Sequence, residues 1–343
     1  MEKHLRKEAF IKLDKKKISY IACFLLGVQI LFLPGFEGTT QAQEYPARPI
    51  TLLISYAPGA GMDVFGRILA QGATKSLGQE FIPVNKPGGG GAVAAGILVG
   101  SKGDGYTILT VSSSTFTSAP HLESVPYDPH KDFVPIIQFG ALNTGMIVRS
   151  DSPHKSLKEL IAFSRTNPGK VSYGIPGVGT APHLAMEYIM DVEKVNIAVI
   201  PFAGGGPAAT ALLGGHVTSS GVSTSGFLSH LKAGKVQALA TFAGKRLKLT
   251  PEVPTLVELG YPYGAFEEIY LMVAPKGTPP AIVKKLEDAF RKAMETPEFR
   301  TTAESFNSYE ANPLSGQELK KYIEDRYTRE GEIIRKAKLG KQN

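Results

Sequence analysis

Pro49-Ile-Thr-Leu-Leu-Ile-Ser-Tyr-Ala-Pro-Gly-Ala-Gly-Met-Asp63 is the stretch whose reading decides the fold class. Ile50 to Tyr56 is short, apolar and rich enough in β-branched residues to form a buried strand. Pro58, Gly59 and Gly61 break it, and from Met62 the pattern changes period. Val64, Phe65, Ile68 and Leu69 share one helical face, and the helix runs to Ser76 before Gly78 stops it. A strand, a glycine turn and a helix N-terminus together present free backbone N–H groups and the positive end of a helix dipole. Two readings stand at this point: a seat for a carboxylate or phosphate, or glycines that only permit a tight turn.

The same unit recurs in other letters. Val171 to Ile175 reads as a strand and Pro176-Gly-Val-Gly179 as its turn. Thr180 is the N-cap candidate and Pro182 sits in the first turn of a helix faced by Leu184, Tyr188 and Ile189. A third copy runs Ile197 to Phe202, then Ala203-Gly-Gly-Gly-Pro207, then a helix that stops at Gly214. Between the first two lie a strand at Glu80–Val84, a helix from Ala92 to Val99 and a strand from Thr107 to Val111. That last strand ends in the hydroxyl run Ser112-Ser-Ser-Thr115, read either as a polar binding edge or as a solvated loop. Phe133 to Val148 alternates little and suits a strand passing between domains. Tyr270 to Ala274 is the last strand, followed by helices at Ala281–Met294 and Ser315–Lys338. Strands alternating with helices imply an α/β fold with a parallel sheet, whose ligands sit beyond the carboxyl ends of the strands. All three glycine turns lie at those ends.

The chain has 343 residues, enough for two domains, and is 43% hydrophobic and 20% charged, which excludes a disordered polymer. The N-terminal residues 1–42 carry three of the seven net positive charges. No basic stripe interleaved with aromatics appears, which argues against a nucleic-acid partner. Residues 1–42 read as an export signal: a basic region ending at Lys17, an apolar run Ile18–Leu33, and Thr40-Gln41-Ala42 before the cleavage point. A retained anchor is the alternative, although the run falls short of the roughly 20 residues a span needs. The single cysteine, Cys23, lies inside that run, so the exported chain contains no disulfide.

Several chemistries lack their residues. The four glycines Gly88–Gly91 are followed by Ala92 and Val93 rather than the Lys and Ser/Thr of a phosphate-binding P-loop. The histidines are scattered without acidic partners, so no metal is expected. No Gly-x-Ser-x-Gly elbow occurs, and no cofactor is implied. His183, beside the second glycine turn, is a general-base candidate or a packing residue. Anion-accepting turns without reactive groups fit a binding protein.

In this light the mature chain resembles, over nearly its whole length, the substrate-binding receptors of tripartite tricarboxylate transporters, also called the Bug family. Tyr45-Pro46 with Pro49-Ile50, Pro58-Gly59 with Asp63, Asn85-Lys-Pro-Gly88, Asp104-Gly-Tyr-Thr107 and Pro126-Tyr-Asp-Pro129 follow the family's order. So do Gly177-x-Gly-Thr180 with His183-Leu184, Leu212-Leu-Gly-Gly215, Lys232-Ala-Gly-Lys235, Val253-Pro-Thr255 and Gly277-Thr-Pro279. The resemblance implies a two-lobed, type 2-like periplasmic binding protein, each lobe a mixed, mostly parallel sheet flanked by helices. Residues 43–143 plus 269–343 would form lobe 1, and residues 144–268 lobe 2. It further implies a monomer that closes on a small organic acid and delivers it to membrane-embedded permease subunits.

Implied ligand-binding positions are the turns Pro58, Gly59, Ala60, Gly61, Asp63 and Gly177, Val178, Gly179, Thr180, His183. Tyr56, Ser112, Ser113, Thr115, Phe202, Gly204 and Ser223 flank them. Departures from the family pattern bear on the ligand: Ala60 for a second glycine, Ala203 for a cation, Val222 for an Asp, Ile269 for a Trp and Ile175 for a small residue. They point to an acid less polar than citrate, in a cleft lined by Tyr56, Phe116, Phe202, Val222 and Ile269. Glu267 and Glu268 are read as solvent-facing, the alternatives being repulsion of polyanions or contact with an amino group. Two other functions remain open: an enzyme on the same scaffold with His183 as base, and a ligand-sensing subunit of a signalling system.

Overall fold

The computed structural model describes residues 44–306, 308 and 311–340; the expected leader and Cys23 lie outside the described residues. Strand β1 (Ile50–Ile54) buries side chains on both faces. Ile50, Leu52 and Ile54 enter one apolar layer and Leu53 the other, as a strand covered on both sides requires. Helix α1 (Gly61–Leu77) follows and ends on Gly78, whose left-handed φ of 68° lets its N–H cap the last turn. Then come β2 (Phe81–Asn85), α2 (Ala92–Val99), β3 (Thr107–Ser112), two short helical turns α3 (Ser114–Thr117) and α4 (Ala119–Leu122), and β4 (Phe133–Leu142).

After Asn143 alone, the chain enters a second sheet. Its elements are β5 (Thr144–Arg149), α5 (Leu157–Thr166), β6 (Ser172–Ile175), α6 (Ala181–Glu193), β7 (Ala198–Pro201), α7 (Gly205–Leu213), β8 (Ser219–Ser223), α8 (Thr224–Lys232) and β9 (Val236–Thr241). It returns through β10 (Glu268–Pro275) and closes with α9 (Pro280–Met294), α10 (Pro297–Ser305) and α11 (Gly316–Lys336).

The two sheets share one plan: β2-β1-β3-β10-β4 and β7-β6-β8-β5-β9. In each, three parallel strands are followed by one reversed strand and one more antiparallel to it. The sheets are mixed, as the family resemblance implied and strand–helix alternation alone did not, and the reason is positional. Strands β5 and β10 each enter a sheet from the other one, so they run away from the junction at which the parallel strands end. The crossings lie side by side. Glu268 pairs with Leu142, and the Phe242 N–H donates to Thr144 O at 2.9 Å.

Strands β8 and β9 and helices α8 and α10 are absent from the reading of the sequence. Strand β8 is Ser-Ser-Gly-Val-Ser, with no apolar pattern to announce it. Its burial depends on Gly221: a Cβ there would fall 2.6 Å from Pro182 Cβ and against the Tyr173 hydroxyl. Ser219 and Ser220 direct their hydroxyls to Ser172 O and Gly174 O at 3.2 and 3.1 Å, so the polar strand is satisfied inside the sheet.

Helix α11 ties the two sheets' cores together. Leu319 and Ile323 join the layer under β3 and β10, while Ile333 and Ile334 join the core around α6. Midway, the buried Arg326 donates to Glu330, to Tyr322 OH at 3.1 Å and to Glu267 O at 2.6 Å, just before β10. Removing Glu330 would leave a guanidinium in a site where its side chain is 7% exposed. Glu330→Ala is expected to cost about 3–5 kcal/mol of unfolding free energy. Asp325→Ala, which breaks an exposed pair with Lys321, should cost under about 1 kcal/mol. Urea denaturation of both variants measures the difference, and equal losses would show that the buried pair does not anchor the helix.

The turn after β1 is held by Asp63. Its carboxylate accepts from the Gly59 N–H at 2.9 Å, Asn85 Nδ2 at 2.8 Å and Arg67 Nε at 2.9 Å. Burial by itself raises the Asp63 pKa, but these three donors outweigh it and hold the carboxyl below its ordinary value. A group with a depressed folded pKa contributes stability above its unfolded value, about 4, and loses it as pH falls through the folded value. Asp63→Asn is therefore expected to lose about 1–3 kcal/mol at pH 7, with the gap to the native chain shrinking below about pH 4. Denaturant unfolding at pH 7 and pH 3 checks the sign; a gap that widened in acid would overturn it.

Candidate ligand-binding cleft

The turns after β1 and β6 have one geometry written in different residues. Gly59 and Gly179 have φ of 81° and 78°, and the residues after them, Ala60 and Thr180, are extended at φ/ψ of −68°/156° and −70°/159°. In each turn the glycine N–H is taken by the side chain four residues on. Gly59 donates to Asp63 Oδ2 and Gly179 to His183 Nδ1, both at 2.9 Å. The glycine amides thus close the turns, and the donors left over are the first N–H groups of the helices: Gly61, Met62 and Asp63 in α1, Ala181 and His183 in α6. Pro182 brings no N–H, so the second helix start offers one donor fewer.

This geometry corrects two expectations. Thr180 occupies the N-cap position, but its hydroxyl donates to Gly177 O at 2.8 Å instead of capping α6. His183 has no lone pair to spare: Nδ1 accepts from Gly179, and Nε2 lies 3.3 Å from Glu187 Oε1. It is 3% exposed and orders the turn, which removes the general base from the enzyme reading.

Between the carboxyl ends of the two sets of parallel strands lies a cavity of about 590 Å³, within the range of small-molecule sites. Tyr56, Gly90, Ser114, Ser118 and Glu268 line it from the first sheet's side. Thr144, Pro176, Val178, Gly179, Thr180, Gly205 and Ser223 line it from the second. Of the positions named from the sequence, Tyr56, Val178, Gly179, Thr180 and Ser223 border the cavity. Pro58, Gly59, Ala60, Gly61 and Asp63, at the first turn, do not border it, nor do Gly177 in the second turn or Phe202 and Gly204 at the third.

The hydroxyl run divides between wall and framework. Ser114 lines the cavity, as does Ser118 beyond the run, while Ser113 Oγ accepts from Ile269 N at 3.1 Å and Thr115 Oγ1 donates to Gly90 O at 2.7 Å. Ser112 ends β3, and Ser114 and Thr115 open the helical turn α3 rather than a loop.

Of the apolar lining expected from the sequence, Tyr56 borders the cavity and Phe116, Phe202, Val222 and Ile269 do not. Phe116 and Ile269 are buried in one apolar layer and Val222 in another, at 1%, 2% and 0% exposure. Period-two alternation explains Ile269: it faces the core with Leu271 and Val273, while Glu268 points to the other face with Tyr270. Glu268 is accordingly not solvent-facing. It is 8% exposed, lies in the cavity wall, and accepts from Ser112 Oγ at 2.8 Å and Ser114 Oγ at 3.1 Å. Burial first, and then the Glu268 charge, raise the Tyr56 phenol above its ordinary value, so Tyr56 remains an O–H donor. Ser114 was legible as part of the hydroxyl run. Leu122 and Leu339, which also line the cavity, come from a short helical turn and the chain's last described stretch, and no local pattern signals them.

The family model described as "Tripartite tricarboxylate transporter family receptor" matches residues 65–339. A Cupriavidus necator protein, described as a UPF0065 protein in a gbd 5' region, is 38% identical over 91% of this chain and 94% of its own length. A solved TctC solute-binding protein from Polaromonas is 31% identical, covers 85% of this chain and 99% of its own, and superposes with a TM-score of 0.76. Two Rhodopseudomonas palustris proteins were solved with ligands. One, with adipate, is 25% identical at a TM-score of 0.72, covering 87% of this chain and 99% of its own. The other, with malate, is 26% identical at 0.67, covering 84% of this chain and 100% of its own. Two sheets of one plan, paired glycine turns at their facing ends and a match over most of the length have one reading: the chain belongs to the tripartite tricarboxylate transporter receptor family of solute-binding proteins.

Proposed function

We propose that this chain is an exported, non-catalytic receptor. It captures a small organic carboxylate in the periplasm and passes it to membrane-embedded permease subunits of a tripartite tricarboxylate-type transporter. The observation that carries this reading is the cavity walled by both sheets, with the N-terminus of α6 and the turn Val178-Gly179-Thr180 on one side. Backbone N–H groups and a helix dipole favour a carboxylate there. The two related proteins solved with adipate and malate support the ligand class, and family membership supports the transporter partner. In this reading the molecule has two lobes, divided at Asn143 and just before β10, and acts as a monomer. Closure would bring the first N–H groups of α1 to the same ligand. Among the described residues no helix is long and apolar enough to cross a membrane, so contact with a permease would be made by the lobes' surfaces.

Isothermal titration against a panel of organic acids, with mass spectrometry of the recovered ligand, tests the proposal. One acid is expected to bind with a stoichiometry of about one, to be recovered unchanged, and to stabilise the protein by about 2.7 kcal/mol at a hundredfold excess over Kd. Gly179→Val should weaken binding tenfold or more, because a Cβ there lands on the Leu122 side chain and the φ of 78° strains any larger residue. Gly59→Val should do less: its Cβ meets nothing within 4 Å, so crowding plays no part and strain alone acts. Turnover of the acid, or no binding across the panel, would overturn the reading.

A further inference from the structure

Glu268 is the charged group the receptor reading leaves without a task. Its carboxylate is more than nine-tenths buried, in the wall of the cavity, at the first residue of β10. Both hydroxyl bonds, from Ser112 and Ser114, arrive at Oε2. Oε1 accepts no hydrogen bond, and no Lys, Arg or His pairs with the group among the described residues. The charge is held in place all the same: Ser114 Oγ also reaches Ser112 Oγ at 3.1 Å, and Ser113 locks the strand end through Ile269 N and O. Neutral hydroxyls orient a carboxylate but do not cancel its charge, and an uncompensated buried charge is costly. Glu123 adds a second carboxylate to the cavity wall, and the described residues that line it include no Lys, Arg or His.

A ligand carrying only carboxylates would bring like charge against that wall. One carrying a carboxylate and an ammonium would satisfy both ends: the start of α6, just after Thr180, takes the anion, and Oε1 of Glu268 takes an N–H. Resting on the receptor reading, we propose that the ligand is an amino-bearing carboxylate, its ammonium group seated on Oε1 of Glu268, in the wall to which Ser114 and Tyr56 also belong. This replaces the apolar acid expected from the sequence, because Phe116, Val222 and Ile269, three of the five side chains expected to line the cleft, are buried in the cores. It also separates this chain from its adipate- and malate-bound relatives, whose ligands have no amino group.

Matched pairs that differ only in the amino group test the proposal by titration: α-, β- and γ-amino acids against their deaminated acids, with succinate and adipate alongside. At least one amino acid should bind tenfold or more tightly than its deaminated partner. Glu268→Gln, nearly identical in shape, should reduce that preference at least tenfold while leaving the deaminated acid unchanged or bound more tightly. Ser114→Ala, which removes one hydroxyl from the carboxylate, should reduce the preference several-fold and serves if Glu268→Gln fails to fold. If deaminated acids or dicarboxylates bind more tightly than every amino partner, or the variants leave the preference intact, the ammonium seat is wrong and the receptor reading stands. If neither series binds, the receptor reading itself falls.

Discussion

The architecture depends on how the chain crosses from one sheet to the other. A single residue, Asn143, separates β4 from β5, so the strand leaving one sheet becomes the reversed strand of the next. The return crossing runs beside it and supplies β10 as the reversed strand of the first sheet. Short, paired crossings make the parallel strands of both sheets end at a common junction, and their glycine turns and helix starts face one space. That space is the cavity. Helix α11 adds a third tie, with its apolar side chains divided between the two cores and a buried Arg326–Glu330 pair at its middle.

Within that space, the two halves solve one local problem with different chemistry. A turn that must present helix N–H groups has to dispose of its own glycine N–H, and the acceptor comes from the first turn of the following helix. The first half uses Asp63, steadied by Asn85 and Arg67; the second uses His183, steadied by Glu187. A carboxylate and an imidazole serve alike because each offers a lone pair at the same height above the helix start. This explains why His183, the most chemically suggestive residue of the second turn, is structural.

The electrostatics of the cleft are divided. Backbone dipoles at the start of α6 favour an anion, whereas the side-chain charge in the wall is negative, carried by Glu268 and Glu123. Such a site selects for charge separation within the ligand rather than for net charge. Here Ser112 and Ser114 hold a carboxylate towards the cavity, and Tyr56 adds a neutral phenol to the wall.

The sequence by itself determined what is local. β1, α1, α2 and the glycine turns are set by apolar period, glycine placement and capping residues, and these interactions span only a few positions. The order of family motifs carried the two-sheet plan, and Phe133–Val148 was legible as a crossing strand. What the tertiary structure alone decided involves partners far apart in the chain. Strand β8 has no apolar signature and exists because Gly221 admits Tyr173 and Pro182. The reversed direction of β5 and β10 follows from where the chain enters each sheet. The fate of Glu268 turned on strand register: a shift of one residue would have exposed Ile269 to the cavity and buried the carboxylate in the core. Composition shows that a glutamate lies beside an isoleucine; only pairing with Leu142 and Ser112's strand decides which of the two the ligand meets.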